Sequence, residues 1–412
     1  MIVYIADKFE PEAIEDLRGA GCDVRYEPAR KGADLIAALR EADPRIVVVR
    51  STKVTREVLE AARDLALVVR AGAGVDNIDV PAASGRGVFV CNCPGTNSVA
   101  VAELTIGLIL SLDRRIPDCV AELRAGQWNK AEYGKARGLK GRALGLIGLG
   151  PIGRAVAARA AALEMHVCGW SRSLSAAGAA LPGVELCPTA LDVARRADVV
   201  SVHLASTPET RRFIGRPFFE AMRSGAYFVN TSRGDLVDAD ALAWAVREKQ
   251  VRAALDVYAS EPAQAQAEFK NPLFSLPGVV YGTPHIAAST DQAQSAVAAE
   301  TVRLIRLFRE TGHVENCVNL TPRSAAQRVL IVRHHNQPGV LAHVLSHLGA
   351  ARINVEDMEN VILVDQATAV ARIGLASAPA PELLRKIKEG SEHVLAVSVL
   401  DHDGGASGAV EP

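Results

Sequence analysis

Through its first hundred residues the chain alternates short apolar runs, rich in β-branched residues, with stretches whose apolar positions recur at helical spacing. In order these are MIVYIA, PEAIEDLRGAG, IVVVR, EVLEAARD, LALVVRAG and GVFVCN. A short unbroken apolar run is the mark of a strand buried on both faces, and a helix between two such runs is the connection that parallel strands need. The pattern therefore predicts a parallel sheet with crossover helices, followed by a long apolar helix from about Ser98 to Asp113. The same rhythm restarts at Gly141 with ALGLIGLG, an alanine-rich helix through Leu163, HVCGW, LDVARRA, DVVSVHL, AYFVNTS, AALDVY and VVYGTPHIA. A second doubly wound unit is the economical reading. A helix from about Thr290 to Thr311 would return the chain to the first unit.

Periodicity then lapses. The stretch NCVNLTPRSAAQ is polar and irregular and carries Pro322, which suits a linker. Beyond it RVLIVRHH, GVLAHVLSHLGA, INVEDMEN, ATAVARIGL, PELLRKIKE and LAVSVL follow a β-α-β-β-α-β order, the pattern of a small α+β sandwich. The last residues, DHDGGASGAVEP, have nothing to bury and read as a flexible tail.

Composition narrows the picture. A length of 412 residues suits two or three domains, and 49% apolar with 23% charged residues is the balance of a globular protein. With 46 basic against 47 acidic side chains, no overall field favours nucleic acid or an anionic membrane, so an anionic ligand has to be met locally. Asp7, Lys8 and Glu10 directly follow the first apolar run, which argues against a secretory segment and for a cytoplasmic protein. The most apolar helical stretch, Val101 to Leu112, contains Glu103 and is shorter than the roughly 20 residues that span a bilayer. Seven cysteines form no disulfide framework, and Cys91 with Cys93 reads as buried thiols. His343 and His347, an i, i+4 step apart without a third ligand, read as a surface pair, so no metal is expected.

Chemistry enters with Gly148-Leu149-Gly150-Pro151-Ile152-Gly153, set between a strand and a helix. In that context the glycines allow a tight turn, a close backbone approach to a pyrophosphate and tight helix packing, with the helix N-terminus facing the anion. The next strand ends Gly169-Trp170-Ser171-Arg172, where an NAD-preferring site would place a carboxylate for the ribose hydroxyls. A serine and a guanidinium there remove repulsion against a 2′-phosphate, so NAD and NADP both stay open.

Three more islands follow strands: Asn230-Thr231-Ser232-Arg233-Gly234, then Leu255-Asp256-Val257-Tyr258 with Glu261-Pro262, then Thr283-Pro284-His285-Ile286. With the glycine loop, their order resembles that of the D-2-hydroxyacid dehydrogenases over about the first 315 residues. The resemblance implies a flavodoxin-like substrate-binding domain at 1–97 and 285–315, a Rossmann dinucleotide-binding domain at 98–284, and a linker at 316–327. It also implies roles. His285 would move the hydroxyl proton, Glu261 would stabilise its imidazolium and fix its tautomer, and Arg233 would grip the carboxylate and polarise the carbonyl. Asp256 would accept from the nicotinamide carboxamide, with Thr207, Pro208 and Thr231 also at the cofactor.

Within that family, Arg70-Ala71-Gly72-Ala73-Gly74-Val75-Asp76 and Asn92-Cys93-Pro94-Gly95-Thr96-Asn97-Ser98 resemble the substrate loops of D-3-phosphoglycerate dehydrogenases. Gly74, Val75 and Asn97 would then face the substrate, and Arg50, Ser51 and Lys53 would hold its phosphate. Residues 328–402 resemble an ACT domain of ferredoxin-like fold, followed by a tail at 403–412. His334, Asn336 and Asn354 match positions that receive L-serine in the serine-inhibited short enzymes of this kind. The resemblance also implies a homo-oligomer, dimer or tetramer. Two alternatives stay open: an NADPH-dependent hydroxypyruvate or glyoxylate reductase, and a non-catalytic NAD(H)-sensing protein like the corepressors that resemble this family.

Overall fold

In the computed structural model, the first sheet is built from β1 (Ile2–Ile5), β2 (Asp23–Tyr26), β3 (Ile46–Val49), β4 (Leu67–Arg70) and β5 (Phe89–Asn92). All are parallel, in the order 2-1-3-4-5. The apolar run of β3 is buried on both faces because alternate side chains feed two cores. Ile46 and Val48 pack under helices Pro11–Gly19 and Asp291–Thr311, while Val47 and Val49 pack under Gly32–Ala42, Arg56–Ala61 and Val80–Gly85. Each such side chain contributes about 1.5–3 kcal/mol by leaving water. β2 is an edge strand in which only Val24 is buried, and Asp23 and Arg25 pair with each other at 2.9 Å.

A second sheet holds β6 (Ala143–Ile147), β7 (His166–Trp170), β8 (Glu185–Leu186), β9 (Val199–Val202), β10 (Tyr227–Asn230), β11 (Arg252–Leu255) and β12 (Val280–Gly282). Its order is 12-11-10-9-6-7-8, parallel throughout. The order reverses between β6 and β9, which opens a crevice beyond their carboxyl ends. Helix Ser98–Arg114 covers this sheet through Ala102, Leu108, Ile109 and Leu112.

A third, antiparallel sheet of β13 (Arg328–His335), β14 (Val355–Ile362), β15 (Thr368–Leu375) and β16 (Val394–Asp401) runs in the order 14-15-13-16. Helices Val340–Ala350 and Pro381–Glu389 share its core of Leu330, Val332, Val344, Leu348, Ile373 and Ile387. The chain separates into two compact units, Met1–Asn319 and the remainder from Leu320. The structure describes residues 1–177, 180–262, 266–321, 324–364 and 366–401; the expected tail at 403–412 and Pro322 of the expected linker lie outside them. Among the described residues no helix is long and apolar enough to cross a membrane.

Candidate active site

Beyond β12 the chain turns through Thr283 and Pro284 into His285, whose backbone is left-handed at φ 53°. That is an uncommon state for a residue with a Cβ, and neighbouring bonds hold it there. The His285 N–H donates to the Asp256 carbonyl at 2.8 Å. The Asp256 carboxylate accepts from Thr283 Oγ1 at 2.5 Å and from the N–H groups of Ile286 and Ala287, both at 2.9 Å. Asp256 is 0% exposed, and both of its carboxylate oxygens accept hydrogen bonds from the loop that follows β12. In this structure it fixes the loop that carries His285.

His285 Nδ1 lies 2.6 Å from Glu261 Oε2, and the other oxygen of Glu261 accepts the Tyr258 N–H at 2.8 Å. Burial pushes the Glu261 carboxyl up, but the His285 and Tyr258 hydrogen bonds and the positive Arg233 outweigh it and hold the group below its ordinary range. An ionised Glu261 makes Nδ1 the donor, so in the neutral ring Nε2 is the nitrogen with a free lone pair.

Arg233 follows β10. Asn230 braces the turn, donating from Nδ2 to the Arg233 carbonyl at 2.9 Å and accepting the Ser232 N–H at 3.0 Å, while Ser232 Oγ donates to Val202 O at 2.6 Å. The guanidinium reaches Asp76 at 2.9 Å and lies against Gly74, where any side chain would overlap it. Val75 is part-buried beside Gly74 in the same loop, its carbonyl accepting the Ile78 N–H at 3.0 Å. Thr231 is buried, its hydroxyl 2.9 Å from that of Thr105, so its side chain backs the site and does not line it.

The glycine loop meets its steric demands. Gly148 is left-handed at φ 103° and pressed on the His203 carbonyl, Gly153 is pressed on the Gly148 carbonyl, and Gly150 faces open space. Pro151 and Ile152 open helix Pro151–Ala162, whose first turn has no side-chain cap. Its free N–H groups are available to a pyrophosphate. At the end of β7, Ser171, Ser173 and Ser175 link by hydrogen bonds, and Arg172 is exposed. Thr207 anchors a turn, its N–H donating to Thr210 Oγ1 at 2.8 Å, with Pro208 exposed beside it. The Glu209 carboxyl is lowered by a hydrogen bond from Thr207 and, more weakly, by the charge of Arg172.

A cavity of about 540 Å³ lies beside His285 and Glu261, and Lys8, Arg50, Ser51, Arg70 and Asn97 contribute to its walls. Lys53 is exposed and is not among the residues lining this cavity, whereas Lys8 is. Asn97 precedes helix Ser98–Arg114 without capping it, and its Oδ1 is buried with no partner.

Three residues carry weight that the sequence did not reveal. Asp7 accepts the N–H groups of Arg50, Ser51 and Thr52 at 2.7, 3.0 and 2.9 Å and pairs with Lys31 at 2.9 Å. Arg70 ends β4 with its Nε buried and unpartnered. Burial first, then the nearby charges of Arg233 and Arg50, lower it to about 10. His203 shares a 2.9 Å hydrogen bond with Ser201, and burial lowers it to about 3, so it is a neutral ring under the glycine loop. The signals were an arginine and a histidine at the carboxyl ends of apolar strands and an aspartate just after β1, where loops of such sheets face ligands.

Burial pushes the Asp7 carboxyl up, but the Arg50 and Thr52 N–H groups and Lys31 pull it further down. A carboxylate depressed by folding adds stability above its unfolded value, about 3.9, and loses it as pH falls through the lower folded value. Asp7→Asn is therefore expected to lower the melting temperature strongly at pH 7, by about 3 kcal/mol of stability, and weakly near pH 3. Equal losses in thermal melts at both pH values would contradict this account.

In the C-terminal unit His334 is buried, with Nδ1 2.8 Å from the His335 carbonyl and Nε2 3.1 Å from Asn360 Oδ1. Both ring nitrogens are committed, so His334 is not free for an effector as expected. Asn336 donates to the Gln366 carbonyl at 3.0 Å and Asn354 to Glu356 at 2.8 Å. His343 and His347 meet edge to face with centroids 4.4 Å apart, and each has one nitrogen at a backbone carbonyl.

Residues 106–287 match the family model described as D-isomer specific 2-hydroxyacid dehydrogenase, NAD binding domain. The chain is 40% identical over 320 residues to D-3-phosphoglycerate dehydrogenase of Methanocaldococcus jannaschii, which covers 77% of this chain and 59% of that relative. It thus spans about three-fifths of the length of that relative. It is 37% identical over 316 residues to hydroxypyruvate reductase of Thermotoga maritima, covering 75% of this chain and 98% of the relative. Among solved structures it resembles the NAD+-bound 3-phosphoglycerate dehydrogenase of Entamoeba histolytica, with a TM-score of 0.64, 26% identity, and coverage of 78% of this chain and 99% of the other.

Proposed function

Because this chain belongs to the D-isomer specific 2-hydroxyacid dehydrogenases, we propose that it interconverts a doubly anionic 2-hydroxy acid and its 2-keto acid, with 3-phosphoglycerate and 3-phosphohydroxypyruvate as the pair. The observation that carries this reading is that Arg50 and Arg70 line one cavity with Glu261 and His285, and that Arg70 feels the charges of both Arg233 and Arg50; among the described residues Arg233 pairs with Asp76, while no ion pair is seen for Arg50 or Arg70. One cation would satisfy a simple carboxylate. Three call for a second anionic group.

The Gly148–Gly153 cradle, with Gly150 open, suits a dinucleotide, whose nicotinamide when bound would supply the hydride acceptor. The side chains supply the rest. Arg233 grips the substrate carboxylate and stabilises negative charge on the 2-oxygen. His285 Nε2 removes the 2-hydroxyl proton on oxidation and returns it on reduction, and Glu261 holds the ring through Nδ1 and compensates the imidazolium. Arg70 and Arg50 take the phosphate. The domain reading that goes with this assigns 1–97 and 285–315 to the substrate and 98–284 to the dinucleotide.

The test compares kcat/KM for phosphohydroxypyruvate and hydroxypyruvate with NADH and NADPH. A preference of about 10²-fold for the phosphorylated acid is expected, from one or two charge-assisted hydrogen bonds; a preference for hydroxypyruvate would overturn the substrate assignment. The second reading, NADPH-dependent hydroxypyruvate reduction, draws its support from Ser171 and Arg172, although Glu209 sits near enough to Arg172 to oppose a 2′-phosphate. Binding of dinucleotide without turnover of any 2-keto acid would favour the corepressor-like reading.

Residues 328–402 are read as an ACT regulatory domain in a homo-oligomer, with Asn336, just ahead of helix Val340–Ala350, as the contact for L-serine. Titrating L-serine into the wild type and Asn336→Ala separates the cases: inhibition is expected in the first alone, and an equal response in both removes the site.

A further inference from the structure

At the free edge of the first sheet, the last residues of the first unit run antiparallel to β5. Val318 N–H donates to Val90 O at 2.8 Å, and Asn92 N–H donates to Asn316 O at 3.1 Å. Asn319 locks the register, accepting the Val90 N–H at 2.9 Å and donating to Val88 O at 2.9 Å. Between these bonds Cys91 and Cys317 stand directly opposite one another. They exchange no backbone hydrogen bond themselves, so they occupy the closer of the two kinds of antiparallel pair. At such a pair the Cα atoms are about 4.5 Å apart and both side chains leave on one face. A disulfide spans Cα separations of about 4.4–6.8 Å.

Both cysteines are free thiols. Cys91 is buried and Cys317 is part-exposed, its Sγ 3.1 Å from Asn319 Oδ1. We infer that Cys91 and Cys317 are an oxidation site, closing to a reversible cross-strand disulfide when the protein meets a peroxide. This goes beyond the proposed catalytic function and does not depend on it.

The order of events follows from access. The Cys317 thiolate attacks one peroxide oxygen, forming S–O as O–O breaks and hydroxide leaves. The Cys91 sulfur then attacks the Cys317 sulfur, forming S–S as S–O breaks, and the Cys91 proton leaves with the hydroxyl as water. Overall two thiols and one hydrogen peroxide give one disulfide and two waters. Burial raises the Cys91 thiol well above its ordinary range, which makes it the resolving and not the attacking partner.

The staple would secure the strand that supports the substrate loop. Directly after Cys91, the Asn92 side chain donates to Ala73 O at 2.5 Å and the Cys93 N–H donates to Gly72 O at 2.9 Å. It would also close a loop of more than two hundred residues, on the order that gives the largest loss of unfolded-state freedom.

Cys168 and Cys187 are a competing pair, but both are buried at 6% and 1% exposure and sit on parallel neighbours. Cys119 is a further thiol with partial exposure. The experiment treats the full chain with hydrogen peroxide and maps non-reduced peptides by mass spectrometry. The expected product has lost two hydrogens, joins the peptides of Cys91 and Cys317, melts several degrees higher, and reverts with dithiothreitol. Cys317→Ser should abolish the linked peptide and the melting shift, and Cys119→Ser should leave both intact. Sulfinic acid at Cys317 without the linked peptide, a link between Cys168 and Cys187 alone, or a Cys91–Cys317 link that forms only in unfolded protein would each overturn the assignment.

Discussion

With His285 replaced by glutamine, kcat for reduction of the 2-keto acid is expected to fall by about 10²–10⁴-fold while KM changes little. Glutamine keeps a polar group of similar reach but cannot exchange a proton near neutral pH. The ring it replaces has Nδ1 committed to Glu261 at 2.6 Å, so Nε2 is the one atom of the pair able to give or take the proton. In the proposed function the anionic substrate is held by Arg233, Arg70 and Arg50, which the substitution leaves in place. Steady-state kinetics separates the two effects. A large rise in KM with kcat preserved would mean that His285 binds substrate and moves no proton.

The second large effect is expected at Arg70, and it has two signs. Its guanidinium is buried at the end of β4, its Nε has no partner, and Arg50 and Arg233 repel it. A cation whose folded pKa is lowered, here to about 10, subtracts stability throughout the pH range in which it is charged. The penalty is on the order of 3 kcal/mol at neutral pH. Arg70→Met removes the charge but keeps the length, so the ligand-free protein is expected to melt several degrees higher. The same change should raise KM for the phosphorylated substrate by about 10–10²-fold, because an anion that would relieve the repulsion loses its partner. If melting temperature and affinity both fall, Arg70 is a structural residue and the phosphate lies elsewhere.

These expectations show where sequence reading reached and where it stopped. β3 and β4 were legible because burial on both faces leaves an unbroken apolar run, and the restart at Gly141 is the start of the second sheet. β2 was missed because an edge strand with one buried residue carries no periodic signal, and helix Gly32–Ala42 went with it. Arg233, Glu261 and His285 stood out as residue types at strand ends, but whether they meet depends on loops of three different lengths. Glu261 and His285 do meet, while Arg233 bonds Asp76 in the loop that follows β4. That Asp256 also accepts the Ile286 and Ala287 N–H groups was not legible, since a carboxylate that serves backbone N–H groups looks the same in sequence as one that does not. The engagement of His334 was hidden for a related reason: its acceptor, Asn360, is 26 residues away on β14, with β15 between the two strands. Arg70 was visible, but the absence of a partner is a property of space and not of order along the chain.

The carboxylate of Asp7 occupies the concave backbone at Arg50, Ser51 and Thr52, with all three N–H groups turned onto it. A loop whose main-chain donors are already saturated can recognise a ligand through side chains alone. Its anion preference is thus separable from its shape: position 50, steadied toward the cleft by Gln294 at 2.8 Å, can be exchanged without rebuilding the turn that presents it. This end of the cleft is an interchangeable fitting on a fixed mount: the side chain at position 50 can change while the Asp7-filled turn beneath it keeps its shape.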